Sequence, residues 1–198
     1  MFQGTKAVKT IFYINIISFI VFQLLELINL GGIVGLFCVW PFDSNLFFPS
    51  QLITYQFLHA NALHIIFNML AFISLAPIVE NYLSTTRKFY IYYFICGIMS
   101  AVLHMTMVDG NSPLVGASGS IWGMTTMFAL ISPNQKLNIM FIPIDIRAKH
   151  LIGILFLLEV LLCMIGSRDS VSHWGHVGGA ITGVFLFMCE KYIFKNPN

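Results

Sequence analysis

Charged side chains are scarce in this chain, and their scarcity excludes most soluble folds. Only 9% of its 198 residues are Asp, Glu, Lys or Arg, whereas 58% are hydrophobic, and the mean hydropathy is +0.83. Soluble domains carry about 25% charged residues. The net charge of +2, without a basic patch, gives no support to a nucleic-acid partner. The composition predicts a single helical membrane domain over residues 1–198, with the lipid bilayer as its surroundings.

Two further absences narrow the function. The four cysteines show neither pairing nor metal-ligand spacing, so we interpret them as small apolar packing residues. The sequence also lacks H-E-x-x-H, which disfavours an intramembrane zinc protease. We therefore expect no cofactor and no metal.

Six apolar segments predict an all-α polytopic membrane protein with six transmembrane helices. A crossing takes about 20 residues, because the hydrocarbon layer is about 30 Å thick and each helical residue rises about 1.5 Å. The fourth segment is short, and we expect it to begin below the outer surface. The segments cover residues 8–28, 53–78, 89–108, 117–132, 149–166 and 175–194.

The basic residues predict how the chain is oriented. With the N-terminus inside, the inside connections hold nine of the ten Lys and Arg, and the outside connections hold Arg168 alone. This asymmetry predicts that both termini are cytoplasmic. Glu80, near Arg87 and Lys88, is expected to form a surface ion pair of little energetic value.

Polar residues collect at the predicted outer ends of the second, fourth and sixth segments. The stretch "HANALHIIFN" contains His59, His64 and Asn68, "VGASGSIWG" contains Ser118, and "SHWGHVGGAITG" contains His176. Hydropathy alone does not require this agreement in depth. Polar side chains are costly in a membrane and usually face the bundle interior or a water-filled cavity. The agreement therefore indicates a functional site.

These residue types suit acyl transfer. The Ser118 hydroxyl becomes a nucleophile once a base takes its proton, and His176 is the predicted base. The reaction also needs hydrogen-bond donors directed at the developing oxyanion, each worth about 3–4 kcal/mol. His64 and Asn68, four positions apart on one helix face, are predicted donors. The backbone N–H of Ser118, at a helix start, is a third.

Small residues are expected to let the helices that carry the serine and the histidine approach closely. Two of them form a GxxxG pattern below His176, and two more flank Ser118. Trp122, one turn below Ser118, is expected to support the imidazole by stacking. The four glycines are Gly116, Gly119, Gly179 and Gly183.

The motifs "HANALHIIFN", "GASG" and "HVGGAITG", in this order, resemble the rhomboid intramembrane serine proteases in their minimal six-helix bacterial form. The resemblance covers essentially the whole chain. It implies Ser118 as nucleophile, His176 as base, and His64 and Asn68 as oxyanion donors, while His59 matches a histidine of less defined role. It also implies transmembrane protein substrates and a site opening to the outer side of a bacterial inner membrane. It implies no oligomeric state.

The family uses a Ser–His dyad without a carboxylate, and the sequence predicts none near the site, because Glu26 and Glu159 lie in other segments. Three positions depart from the family pattern. Trp122 stands where a tyrosine is frequent, and Gly175 stands where an alanine usually precedes the histidine. A Ser-Gln pair at 50–51 replaces the family's Trp-Arg pair.

Two interpretations from other classes stay open. His59, His64, His173 and His176 could instead hold haem or a metal, because imidazoles suit such sites. That interpretation leaves "GASG" without a role. A transporter would predict broken helices and internal repeats, and the sequence shows no convincing repeat.

Overall fold

The computed structural model describes residues 4–108, 113–138, 145–166 and 171–194, and most of this part of the chain is helical. The long helices are α1 (Lys6–Leu27), α2 (Ala62–Tyr82), α3 (Thr86–Met107), α4 (Ser118–Ile131), α5 (Ala148–Ile165) and α6 (His173–Met188). Shorter helical pieces lie at Gly31–Leu36, Gln51–Thr54, Tyr55–Phe57 and Cys189–Ile193.

Two short strands depart from the all-α prediction. The strands β1 (Lys136–Asn138) and β2 (Asp145–Arg147) pair antiparallel between α4 and α5. Lys136 pairs with Arg147 and Asn138 with Asp145, and the Lys136 Nζ reaches diagonally to the Asp145 carboxylate at 3.3 Å. These residues lie outside the helices, and the hydrogen bonds between the two strands satisfy their backbone N–H and C=O groups.

Four helices, α1, α2, α3 and α5, are long and apolar enough to cross a membrane. The other two, α4 and α6, have 14 and 16 residues. These lengths correspond to about 21 and 24 Å, less than the hydrocarbon thickness of about 30 Å, and α6 continues directly into the helical piece Cys189–Ile193. The short helices are the central ones, since α4 packs against α2, α3 and α6.

The helix α2 begins at Ala62, whereas the sequence analysis starts the second segment near residue 53. Asn61 caps the helix with extended backbone, and its side chain accepts the His64 N–H at 2.9 Å. The preceding residues are held elsewhere, because the Tyr55 hydroxyl donates to the Gly97 carbonyl at 2.6 Å. As a result, His59 lies in the loop before α2.

Glycines allow α4 and α6 to touch through their backbones. A Cβ atom added to Gly179 would lie 2.0 Å from the Gly119 carbonyl oxygen, and one added to Gly183 would lie 2.2 Å from that of Gly123. Any side chain at these positions would force the helices apart. This close approach brings the N-terminal ends of α4 and α6 together.

Glu80, near the end of α2, is only 6% exposed. Its carboxylate accepts hydrogen bonds from the backbone N–H groups of Ala7 and Val8 and from the hydroxyls of Thr5 and Thr86. Helix starts have N–H groups without a partner in the helix, and a negative charge there complements the helix dipole. The predicted surface ion pair is therefore wrong, and Lys88 binds Glu190 instead, at 3.1 Å.

Candidate active site

The N-terminal ends of α4 and α6 place Ser118 beside His176. The Ser118 Oγ lies 2.9 Å from the His176 Nε2, which is a hydrogen-bonding distance. Ser118 is the first residue of α4, and both side chains are partly buried. A hydroxyl bonded to an imidazole can pass its proton to the ring as it attacks a carbonyl carbon.

The second ring nitrogen of His176 meets a carboxylate that the sequence analysis did not place there. The His176 Nδ1 lies 2.9 Å from the Glu159 Oε1, and the other Glu159 oxygen lies 2.6 Å from the His173 Nδ1. The Glu159 side chain is 14% exposed. The prediction that no carboxylate lies near His176 is therefore wrong.

Helix geometry explains how Glu159 reaches the site. The second half of α5 lies at the end of the bundle where α6 begins, and α5 turns its one carboxylate toward α6. A lone carboxylate in an apolar membrane helix is costly and calls for a polar partner. The presence of one carboxylate in an otherwise apolar segment was therefore a sequence signal that Glu159 faces polar residues of the bundle.

His64 lies on another side of Ser118. A Cβ atom added to Gly116 would lie 2.9 Å from the His64 Nε2 and 3.8 Å from the Ser118 Oγ, so both groups flank this glycine. Gly116 has a φ of 122°, which favours glycine. The His64 Nδ1 accepts the Ala60 N–H at 3.4 Å. In a neutral ring this leaves Nε2 as the donor, on the side that faces Gly116.

Asn68 carries a buried amide one turn after His64, on the same face of α2. It is 9% exposed, and its Nδ2 has no hydrogen-bond partner among the described residues. An unsatisfied buried donor costs about 1–3 kcal/mol. An unpaired donor at this position suits an oxyanion that exists only during a reaction.

Trp122 and His59 border the site without joining its hydrogen-bonded chain. The Trp122 and His176 rings are 5.8 Å apart and tilted by 34°, so they touch without parallel stacking. The His59 ring lies 5.0 Å from that of His64, and within the described part of the chain neither of its buried nitrogens has a partner. Burial, with a smaller effect from His64, lowers the pKa of His59 from 6.5 to about 3.

His59 also lines a cavity of about 80 Å³ beside α1. The Ser118 side chain is not part of the lining of this cavity. The opening of the site to the outer side, which the sequence analysis expects, stays a prediction.

The four histidines of the metal interpretation do not form one group. In the part of the chain that the structure describes, Glu159, His173 and His176 have ligand atoms within 4.8 Å of one another. His59 and His64 pair through their rings instead. Two imidazoles and a carboxylate are ligands that zinc accepts. Direct hydrogen bonds among these three side chains account for the same arrangement.

Comparison with known proteins identifies the family. The Rhomboid domain matches residues 49–192, most of the chain. This chain therefore belongs to the rhomboid family, as its motifs predict, and it is an integral membrane protein. The family prediction is confirmed at this level.

Three relatives show how far the similarity extends. "Rhomboid-like protease 3" of Toxoplasma gondii is 26% identical over 137 residues, which cover 69% of this chain and 49% of the relative. "RHOMBOID-like protein 2" of Arabidopsis thaliana is 29% identical over 139 residues, covering 69% and 40%. "Presenilin-associated rhomboid-like protein A, mitochondrial" of Danio rerio is 29% identical over 136 residues, covering 66% and 34%. The chain thus spans about half or less of the length of these relatives.

Proposed function

We propose that this chain is an intramembrane serine endopeptidase that hydrolyses peptide bonds in or near the transmembrane segments of other membrane proteins. The observation that carries the proposal is the 2.9 Å contact between the Ser118 Oγ and the His176 Nε2. Membership of the rhomboid family supports it, and one of the similar relatives is named a protease.

The geometry supports a two-stage acyl transfer. As the Ser118 Oγ bonds to the substrate carbonyl carbon, its proton moves to the His176 Nε2. The backbone N–H of Ser118 and the side chains of His64 and Asn68 then donate to the carbonyl oxygen, which has become negative. When the C–N bond breaks, the leaving amine takes the proton from His176. Water then attacks the acyl carbon as its proton moves to the His176 Nε2. The same proton passes to the Ser118 Oγ when the bond between the serine and the acyl group breaks.

The proposal includes a six-helix bundle over residues 1–198, with the site open to the outer side of a bacterial inner membrane and both termini cytoplasmic. The asymmetry of the basic residues supports this orientation. Ser118 and His176 lie at the helix ends opposite to Lys88 and Glu190. Substrates should have helix-weakening residues near the cut, because a peptide bond held in a helix cannot reach the serine.

The test is cleavage of a fluorescently tagged single-span substrate by the purified protein in liposomes. Ser118→Ala and His176→Ala should each lower the rate at least about 1000-fold, because the nucleophile or its base is lost. Ser74→Ala is the matched control, since this exposed serine donates to the Leu70 carbonyl of its own helix. It should cleave at the wild-type rate.

Two outcomes would contradict the proposal. One is a folded wild type that leaves the substrate intact, and the other is a folded Ser118→Ala variant that still cleaves it. A stoichiometric metal ion that is lost with His173→Ala would instead favour the metal interpretation, which the group formed by Glu159, His173 and His176 supports.

A further inference from the structure

A carboxylate extends the serine–histidine pair into a chain of three groups. We propose that Glu159 is a positioning residue that orients His176 as the base for Ser118, an inference that rests on the function proposed above. The serine hydroxyl lies 2.9 Å from one nitrogen of the His176 ring, and the carboxylate lies 2.9 Å from the other. The three groups are therefore linked through a single imidazole.

The carboxylate determines which ring nitrogen of His176 carries the hydrogen. A neutral imidazole has one N–H donor and one acceptor nitrogen. Since a carboxylate only accepts, the hydrogen lies on Nδ1, and Nε2 offers its lone pair to Ser118. Without Glu159 the ring could adopt the other tautomer, which cannot take the serine proton.

The carboxylate also stabilises the charged form of the base. When the serine proton moves to the His176 Nε2, the ring becomes a cation whose Nδ1–H still faces Glu159. The proton on Nδ1 stays there, and the carboxylate acts as a counter-charge. The side chains of Glu159 and His176 are 14% and 12% exposed, so water screens their attraction weakly.

His173 holds the other oxygen of the same carboxylate. Its Nδ1 lies 2.6 Å from the Glu159 Oε2, and its side chain is 8% exposed. His173 and His176 are three positions apart on α6, so they lie on one face. Because each oxygen of the carboxylate is hydrogen-bonded to one imidazole, the Glu159 side chain is held in its orientation toward His176.

Two other roles for Glu159 make different predictions. In the first of these roles, Glu159 would serve solely to hold α5 against α6. The buried residues of α5, Ala148 and Ile152, lie near its start, so the second half of the helix has few other buried contacts. The three side chains could instead hold a cation. Fastening predicts a loss of stability and a change in KM, whereas positioning predicts a loss of kcat in a folded protein.

The test compares wild type and Glu159→Gln in liposomes, in substrate cleavage and in the rate at which a fluorophosphonate labels the serine. An amide carries no charge and accepts from at most one of the two imidazoles. We expect both the labelling rate and kcat to fall about 100-fold, with KM unchanged within about threefold. Glu159→Asp, which keeps the charge on a shorter side chain, should recover to within about tenfold of wild type.

Glu26→Gln is the matched control, because it removes an exposed carboxylate from α1. This control should label at the wild-type rate. A folded Glu159→Gln variant that also labels at that rate would overturn the inference, as would a defect confined to KM and to the unfolding temperature. A wild type that loses labelling with a chelator would overturn it in favour of a cation.

The inference and the proposed function fail in different ways. A folded wild type that neither labels nor cleaves contradicts the proposed function and removes the basis of the inference. A wild type that labels, alongside an equally fast Glu159→Gln variant, contradicts the inference alone.

A second measurement needs no Glu159 variant to fold. In protein labelled with ¹⁵N-histidine, the His176 signals are assigned by their loss in His176→Ala. We expect the neutral ring to carry its hydrogen on Nδ1. A ring protonated on Nε2 would overturn the inference.

Discussion

Both ends of the bundle hold carboxylates that are buried or partly buried, but with different partners. At one end, Glu80 accepts backbone N–H groups at the start of α1, and Glu190 is bound by Tyr92 and Lys88. At the other end, Glu159 is bound by two imidazoles, one of which contacts a serine. Amides, phenols and ammonium groups keep their protons near neutral pH, whereas imidazole exchanges its proton readily. The partners at the first end suit a stabilising role, whereas those at the second end suit the proposed proton transfer.

Among the described residues, buried polar atoms without a partner occur at the Ser118 end and also within α1 and α3, at the Asn15 Oδ1 and the Tyr93 hydroxyl. At the Ser118 end, the Asn68 Nδ2 and both nitrogens of His59 are buried without partners among the described residues. At the opposite end, the Glu80 carboxylate accepts from backbone and hydroxyl donors. A buried polar atom without a partner calls for an explanation, and the proposed oxyanion role supplies one for the Asn68 Nδ2.

The largest effect that separates the two ends is expected from Glu80→Gln. This change should lower the free energy of unfolding by about 3 kcal/mol, because hydrogen bonds to a charged group are worth about 1.5–3 kcal/mol each. Cleavage per folded molecule should stay at the wild-type level. Thermal unfolding in detergent and an activity assay measure the two effects.

Asn81→Ala, at an exposed neighbouring position, is the control for this change and should leave both quantities unchanged. A Glu80→Gln variant with the wild-type unfolding temperature but without activity would remove the distinction between the two ends.

The next effect is expected from Asn68→Ala at the other end. Loss of one oxyanion donor should lower kcat about 100-fold. The unfolding temperature should stay the same or rise, because the amide nitrogen that is removed has no partner among the described residues. An unchanged kcat for cleavage of the single-span substrate would exclude Asn68 from the oxyanion role.

The smallest effect near neutral pH concerns the pH dependence of stability. The pKa of His59 is about 3 in the folded protein against 6.5 for the ordinary side chain, mainly because the ring is buried. Between these pH values the unfolded chain binds a proton at His59 that the folded chain does not bind. The free energy of unfolding is therefore unaffected by His59 above pH 6.5 and decreases as the pH falls below it. His59→Phe should reduce this fall, measured by thermal unfolding at several pH values.

His150→Phe removes an exposed histidine and serves as the control for His59→Phe. If both variants keep the wild-type pH profile, the buried His59 ring does not contribute to it.

Much of the site could be predicted from depth in the membrane, but helix rotation could not. Hydropathy and the motifs place Ser118 and His176 at one level, and the structure has them 2.9 Å apart. The cost of a lone carboxylate in lipid indicates that Glu159 faces the bundle interior, but which side chains it meets there depends on how α5 is rotated about its axis, which an apolar segment does not reveal. The sequence analysis therefore missed the carboxylate.

Long-range partners explain the wrong prediction for Glu80. Glu80 lies close in sequence to basic residues, which favoured a surface ion pair, yet one of its partners is the Ala7 N–H, 73 positions away. The late start of α2 has a local cause that the sequence does show. Asn61 is a helix-capping residue, and its presence was a signal that the helix begins after it.

The most direct test of the account is to treat the folded protein in liposomes with a fluorophosphonate and to map the labelled residue by peptide mass spectrometry. The account predicts one label per chain, on Ser118, and none in folded His176→Ala. A folded wild type without label, or with its label on another serine such as the buried Ser120, would contradict it.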